Sequence, residues 1–268
     1  MQWDQLYKPM SQLFWEIHPG NGPYLLLVHG FLSSRAQWRL NLDALSNECT
    51  PVTIELLGHG RSPSPQASNL YSISGYIEAL EALRNELNIE QWFVCGYSLG
   101  AAITIRYALT YPEHTIGQVF TNSSSAFADD QQLQAWRAGA EKSSSSIRSG
   151  GMRAIEKLPV HPKHARRLPT SIYTDLVADS RLLNPRGIAN AIEFTIPSAS
   201  SRKYIGDNQS KALLICGRFE KRFIAHRDYA AAAMPNLSIT NVDSGHAVNM
   251  QAALEFNKAI LRFIKECL

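Results

Sequence analysis

The sequence predicts an α/β protein: a mostly parallel sheet flanked by helices on both faces, with a helical cap inserted between two core strands. Three observations carry this expectation. Short apolar runs of strand character alternate with segments of helical period, as they do when helices cross between parallel strands. The alternation stops once, over residues 127–206, where no apolar strand run occurs. Of the 268 residues, 45% are hydrophobic and 18% charged, which is enough apolar matter for a sizeable core.

Taken in order, residues 13–17 suit an antiparallel edge strand, and 25–28, 51–55, 91–95, 116–121, 212–216 and 237–242 read as core strands. Residues 35–45, 73–87, 101–109, 223–234 and 248–264 read as the helices between and after them. The interrupted stretch holds serines 143–146, Gly150, Gly151, several prolines and helical fragments at 131–140 and 188–194. So long a structureless loop does not suit a compact domain, so we divide the chain into a core, 1–126 with 207–268, and a cap, 127–206.

Composition excludes several classes. A net charge of +3 without a recognisable motif gives no reason to expect nucleic acid. Met1, Gln2, Trp3, Asp4 and Gln5 begin no secretion signal, and the run Leu25-Leu26-Leu27-Val28 is far too short to span a membrane. Cys49, Cys95, Cys216 and Cys267 form no CxxC pair and suit reduced thiols, so a cytoplasmic location is expected.

The sharpest motif is Gly96-Tyr97-Ser98-Leu99-Gly100, set between the strand run ending at Cys95 and the helical run starting at Ala101. A serine hydroxyl is a weak nucleophile until it is presented to a base and a substrate together. A tight strand-to-helix turn presents it above the sheet, on a strained backbone whose neighbours must be tiny; Gly96, Gly100 and Ala101 satisfy that. An acyl-transfer oxyanion needs preorganised N–H donors. Leu99 N–H supplies one at the helix start, and Phe31 N–H, after His29-Gly30, supplies the other. His29 reads as a residue that orders this turn, Ser33 and Ser34 as caps of the next helix, and Gly58-His59-Gly60-Arg61-Ser62 as a structural turn. No segment has the dinucleotide fingerprint, and no cofactor is expected.

The base should follow the last core strand, where Asp243-Ser244-Gly245-His246 stands. Its orienting acid should follow the strand before, where Gly217-Arg218-Phe219-Glu220 stands. Asp228 falls inside a helix, Asp243 is too close in sequence to His246, and Asp207 lies at the wrong end of its strand. Ser98, Glu220 and His246 are therefore the expected catalytic set.

Together, His29-Gly30-Phe31, Gly58-His59-Gly60-Arg61-Ser62, Gly96-Tyr97-Ser98-Leu99-Gly100, Gly217-Arg218-Phe219-Glu220 and Gly245-His246 resemble the motifs of the α/β-hydrolase superfamily in order and spacing. The resemblance spans roughly 1–125 and 207–268. It implies a serine hydrolase acting on a small-molecule ester, thioester or related acid. Within the superfamily the chain looks nearest to small esterases and to the menaquinone-pathway succinyl-hydroxycyclohexadiene-carboxylate synthase. That synthase continues its elbow with glycine and arginine, where this chain has Ala101 and Ala102, and it normally carries aspartate where this chain has Glu220. Ester or thioester hydrolysis is thus the first expectation. Pyruvate elimination, or carbon–carbon bond hydrolysis by the same three residues, is the second.

For the substrate, Tyr97, Trp136 and Arg137 are the expected contacts. Lys142, Arg148, Arg153, Lys157, Lys163, Arg166 and Arg167 make one stretch of the cap basic, which suits either an anionic substrate or a solvated surface. Phe127, Ile147, Met152, Ile172, Tyr173, Leu176 and Phe194 suit an acyl pocket or, more simply, the cap's own packing. His161 and His164 lack a third ligand and straddle Pro162, so no metal site is expected.

Overall fold

The structure, a computed structural model, describes residues 12–268. The reading of Met1 to Gln5 lies outside the described residues. Seven strands form one sheet: β1 (Phe14–Ile17), β2 (Tyr24–Val28), β3 (Thr50–Glu55), β4 (Trp92–Gly96), β5 (Thr115–Thr121), β6 (Lys211–Gly217) and β7 (Leu237–Val242). They lie in the order β1-β3-β2-β4-β5-β6-β7, and only the β1–β3 pair is antiparallel. Because side chains alternate along a strand, each strand feeds two cores. Leu26 and Val28 of β2, with Trp92 and Val94 of β4, enter one core, whereas Leu25, Leu27, Phe93 and Cys95 enter the other.

Helices α2 (Ile73–Glu86) and α3 (Leu99–Thr110) cover the first face through Leu80, Leu83, Ile103 and Tyr107. The second face is covered by α1 (Arg39–Leu45) and the closing α9 (Ala253–Cys267), whose Phe256, Ile260, Phe263 and Ile264 recur at helical spacing. Burying each such side chain contributes roughly 1.5–3 kcal/mol. The 35–45 helix is divided: Arg35–Trp38 is a 3₁₀ turn capped by Ser34 Oγ, which accepts from Ala36 N–H at 3.2 Å, and α1 follows. The 248–264 helix is likewise split at Ala252 into α8 (Val248–Gln251) and α9. Helix α7 is Ile224–Ala233.

Between β5 and β6 the chain is helical, with α4 (Asp130–Ile155), α5 (Thr170–Asp179), α6 (Pro185–Asn190) and a π turn at Ala191–Thr195. Helix α4 is far longer than the expected fragment 131–140. Its start is a capping box in which Asp129 Oδ1 accepts from Gln132 N–H and Gln132 Oε1 accepts from Asp129 N–H. Helix α4 runs on through serines 143–146, where the Ser144 hydroxyl is satisfied by donating back to Glu141 O at 3.0 Å. The break comes at Gly151, in the left-handed region at φ 56°. The helical segment leaves and rejoins the sheet side at one neck: Ser201 N–H donates to Ala126 O at 2.8 Å and Ser200 Oγ to Ala128 O at 2.7 Å. Among the described residues, no helix is long and apolar enough to cross a membrane.

Candidate active site

Four adjacent strands, β4 to β7, deliver one polar residue each at their carboxyl ends, the edge where open α/β sheets hold ligands. Ser98 stands between β4 and α3 at φ 54°, ψ −114°, a left-handed backbone unusual for any side chain but glycine's. The strain is held by a crossing too close for larger residues. A Cβ on Gly96 would lie 2.3 Å from Thr104 Oγ1 and 2.4 Å from Gly100 O, and one on Gly100 would lie 2.3 Å from Val28 O. Leu99 is the first residue of α3, where a backbone N–H has no acceptor within the helix.

The loops that carry Glu220 and His246 are fastened to each other by the backbone. Arg218 N–H donates to Val242 O and Phe219 N–H to Ser244 O, each at 3.0 Å, and a Cβ on Gly217 would sit 2.0 Å from Gly245 O. This brings Glu220 and His246 together: His246 Nδ1 lies 3.0 Å from both carboxylate oxygens. Burial pushes the Glu220 carboxyl up, but hydrogen bonds and charge from His246, with a hydrogen bond from Asn122 and the Arg222 charge, bring it net below the usual carboxylate range. Asp228 pairs instead with Arg227, and Asp243 with Arg218.

Asn122, the first residue past β5, was not singled out from the sequence. Its amide accepts from Gly217 N–H at 3.0 Å and donates to Gly217 O at 3.1 Å and Glu220 Oε2 at 2.7 Å. It is fully buried and ties the Glu220 carboxylate to the end of β6 through Oε2, one of the two oxygens that face His246. The available signal was position: a polar residue at the carboxyl end of an apolar strand run.

The turn after β2 is held by two buried rings. His29 Nε2 accepts from Leu56 N–H at 3.0 Å, so Nδ1 carries the proton and donates to Gly30 O at 2.8 Å. His59 Nε2 accepts from Leu32 N–H at 3.1 Å, and its Nδ1 donates to Leu57 O at 3.0 Å. Burial, with the neighbouring His59, lowers His29 to about 3, and burial lowers His59 to about 4, so both rings are neutral struts. They clamp Phe31 between two fixed neighbours, Leu32 standing at φ 56°. A Cβ on Gly30 would lie 2.7 Å from the Tyr97 ring.

Ser98, His246, Phe31, Leu99, Tyr97 and Trp136 all line one cavity of about 510 Å³. Its other walls are Ser124, Ser125, Pro159, Val160, His161, His164, Ala165, Ile196 and Ala247, with no lysine or arginine among the described residues. The Tyr97 ring packs 5.2 Å from that of His246. No direct hydrogen bond joins the Ser98 hydroxyl to His246, whose ring is held by Glu220.

Arg137 corrects the sequence-based expectation. It lines a separate depression with Arg106, Asp130 and Tyr204. Successive helical residues project about 100° apart, so Trp136 and Arg137 on α4 face different surroundings. The basic stretch also stays out of the Ser98 cavity: Arg148 pairs with Glu193 at 2.7 Å and Lys163 with Glu156 at 3.5 Å. Of the apolar candidates only Trp136 lines the cavity. Phe127, Ile172 and Leu176 pack in the main cores, and Ile147 packs in a cluster with Leu32.

The sequence profile described as "alpha/beta hydrolase fold" matches residues 23–253. A Bacillus subtilis protein provisionally described as a 2-succinyl-6-hydroxy-2,4-cyclohexadiene-1-carboxylate synthase is 24% identical, over 92% of each chain. Among solved structures, MenH from S. aureus superposes with a TM-score of 0.82 at 19% identity, covering 94% of this chain and 98% of its own. The enol-lactonase of Burkholderia xenovorans LB400 superposes at 0.79 with 21% identity, over 94% and 96%. The thermophilic esterase of Thermogutta terrifontis does so at 0.74 with 21% identity, over 95% and 93%. With the profile spanning most of its length, the chain belongs to the alpha/beta hydrolase fold family.

Proposed function

We propose that this protein is a serine hydrolase cleaving a carboxylic ester or thioester of a small, uncharged, mainly apolar acid. One observation supports the choice of substrate: the cavity at Ser98 is walled by Phe31, Trp136, Pro159, Val160 and Ile196, and among the described residues no lysine or arginine lines it. A substrate carrying several carboxylates would find no counter-charge there, and burying an unpaired carboxylate is costly.

In this reading Glu220 holds the His246 ring with its proton on Nδ1, so that Nε2 is the free base. His246 removes the Ser98 proton as the oxygen attacks the carbonyl carbon; the gap between them closes around bound substrate, as is usual for such pairs. Phe31 and Leu99 N–H groups stabilise the oxyanion. His246 then returns the proton to the departing alcohol or thiol, and a water activated by the same ring releases the acid. Residues 127–206 act as the lid, and Tyr97 and Trp136 are substrate contacts. The partner is a small molecule, and the reaction needs neither cofactor nor nucleic acid; the proposed location is cytoplasmic.

Substitution of Ser98 by alanine tests this. Turnover of short p-nitrophenyl esters should fall at least about a thousandfold, with the fold retained by circular dichroism. Near-wild-type turnover would overturn the assignment. The full-length likeness to the B. subtilis protein favours a second reading, a lyase that eliminates pyruvate using the same residues. Pyruvate release from the menaquinone-pathway intermediate, without ester turnover, would select it.

A further inference from the structure

His161 opens the 3₁₀ turn Pro162–His164 in the helical segment and lines the Ser98 cavity, although nothing in the proposed chemistry uses it. Its side chain is only 3% exposed. Nδ1 accepts the Lys163 backbone N–H at 3.2 Å. A neutral imidazole that accepts at Nδ1 carries its proton on Nε2. That Nε2 is buried with no hydrogen-bond partner among the described residues, so an acceptor in the cavity meets it once the ring turns toward the bound molecule. Burial first, then the charges of Lys163 and His164, lower the ring's pKa against the opposing pull of Glu156, which keeps it neutral. A buried N–H left unmatched costs about 1–3 kcal/mol, and a ligand that accepts from it recovers this.

We propose that His161 is a specificity-determining residue whose Nε2–H donates to an uncharged oxygen, a ketone or ether, within the acyl chain and away from the scissile carbonyl. The neighbouring wall argues for a neutral acceptor: Trp136, Pro159 and Val160 are apolar, Ser124 and Ser125 are uncharged, and the nearby Lys163 is tied to Glu156. His164 is no rival donor, because its Nε2 donates to Glu156 O at 3.1 Å. The substrate class is therefore an apolar acyl chain bearing one internal carbonyl or ether oxygen. This inference rests on the hydrolase reading above.

The test compares p-nitrophenyl heptanoate with its 4-, 5- and 6-oxo derivatives. The wild type should favour one oxo ester in kcat/KM, and His161→Phe should cut that oxo-to-alkyl ratio about tenfold, chiefly through KM. His161→Gln, which keeps an N–H donor, should restore part of the ratio. A second measurement needs no turnover. In ¹⁵N-histidine-labelled Ser98→Ala protein, the Nε2–H resonance of His161, assigned by its loss in the His161→Phe double variant, should move on adding the methyl ester of the favoured oxo acid and not on adding methyl heptanoate. Equal ratios in wild type and His161→Phe, or no resonance shift with any oxo ester, overturn the inference while leaving the hydrolase reading intact. Absence of all ester turnover would sink the hydrolase reading, and the resonance shift would still decide the donor.

Discussion

The carboxyl edge of the sheet and the helical segment above it are built on different rules. At the edge, backbone touches backbone: Gly96 against Gly100, Gly217 against Gly245, and the two final loops joined by paired amides. In the helical segment one such contact recurs, Gly187 against Gly58, but along α4 glycine stands in open space, as Gly139 and Gly151 do. The edge tolerates almost no change in residue size at its glycines and holds Ser98, Glu220 and His246 in place. Helix α4 tolerates more.

The strongest way to break this contrast is Gly96→Ala. The added methyl would lie under 2.6 Å from three atoms of the elbow helix, so the crossing must open and carry Ser98 with it. We expect a loss above about 3 kcal/mol and at least a hundredfold in activity, measured by urea unfolding and ester turnover. A mild effect would mean that the elbow is not held by contact.

Acid gives the next largest effect. The His29 and His59 values lie below the ordinary 6.5, so in this window the unfolded chain binds more protons than the folded one. The stability they confer is complete above pH 6.5 and is lost as the pH falls toward about 4 and 3. At pH 5 each ring should cost roughly 2 kcal/mol relative to pH 8. Urea unfolding at both values, with His59→Gln reducing the difference by about one ring's share, checks this; a pH-independent midpoint would show that the rings are not clamped neutral.

The smallest effect has the opposite sign. Gly139→Ala in α4 meets nothing within 4 Å and should stabilise by about 0.5–1 kcal/mol in the same unfolding assay, with ester turnover within twofold. Destabilisation there would mean that the segment is packed as strictly as the edge.

The same contrast explains what could be read in advance. The gathering of Ser98, Glu220 and His246 at one edge of the sheet was legible because each follows a strand run, and steric crowding forces tiny neighbours that leave a pattern in the sequence. The sheet strands fell within a residue or two of expectation, since apolar runs bounded by glycine admit few alternatives. Asn122 escaped because one polar residue after a strand resembles any loop residue until its amide is seen against Gly217 and Glu220. Arg137 misled because helix rotation, not composition, decides which of two neighbours faces the cavity. Helix α4 was read only as the fragment 131–140, because the serines that continue it suit caps and turns as readily as helices.

The neck at Ala126 and Ser201 has one more consequence. Where an excursion starts and finishes a single hydrogen bond apart, the host perceives only a short bridge, however many residues the detour contains. Changes in the length of its loops therefore leave the closure of the sheet untouched, provided the side chains that it lends to the core, Ile172 and Leu176, stay in place.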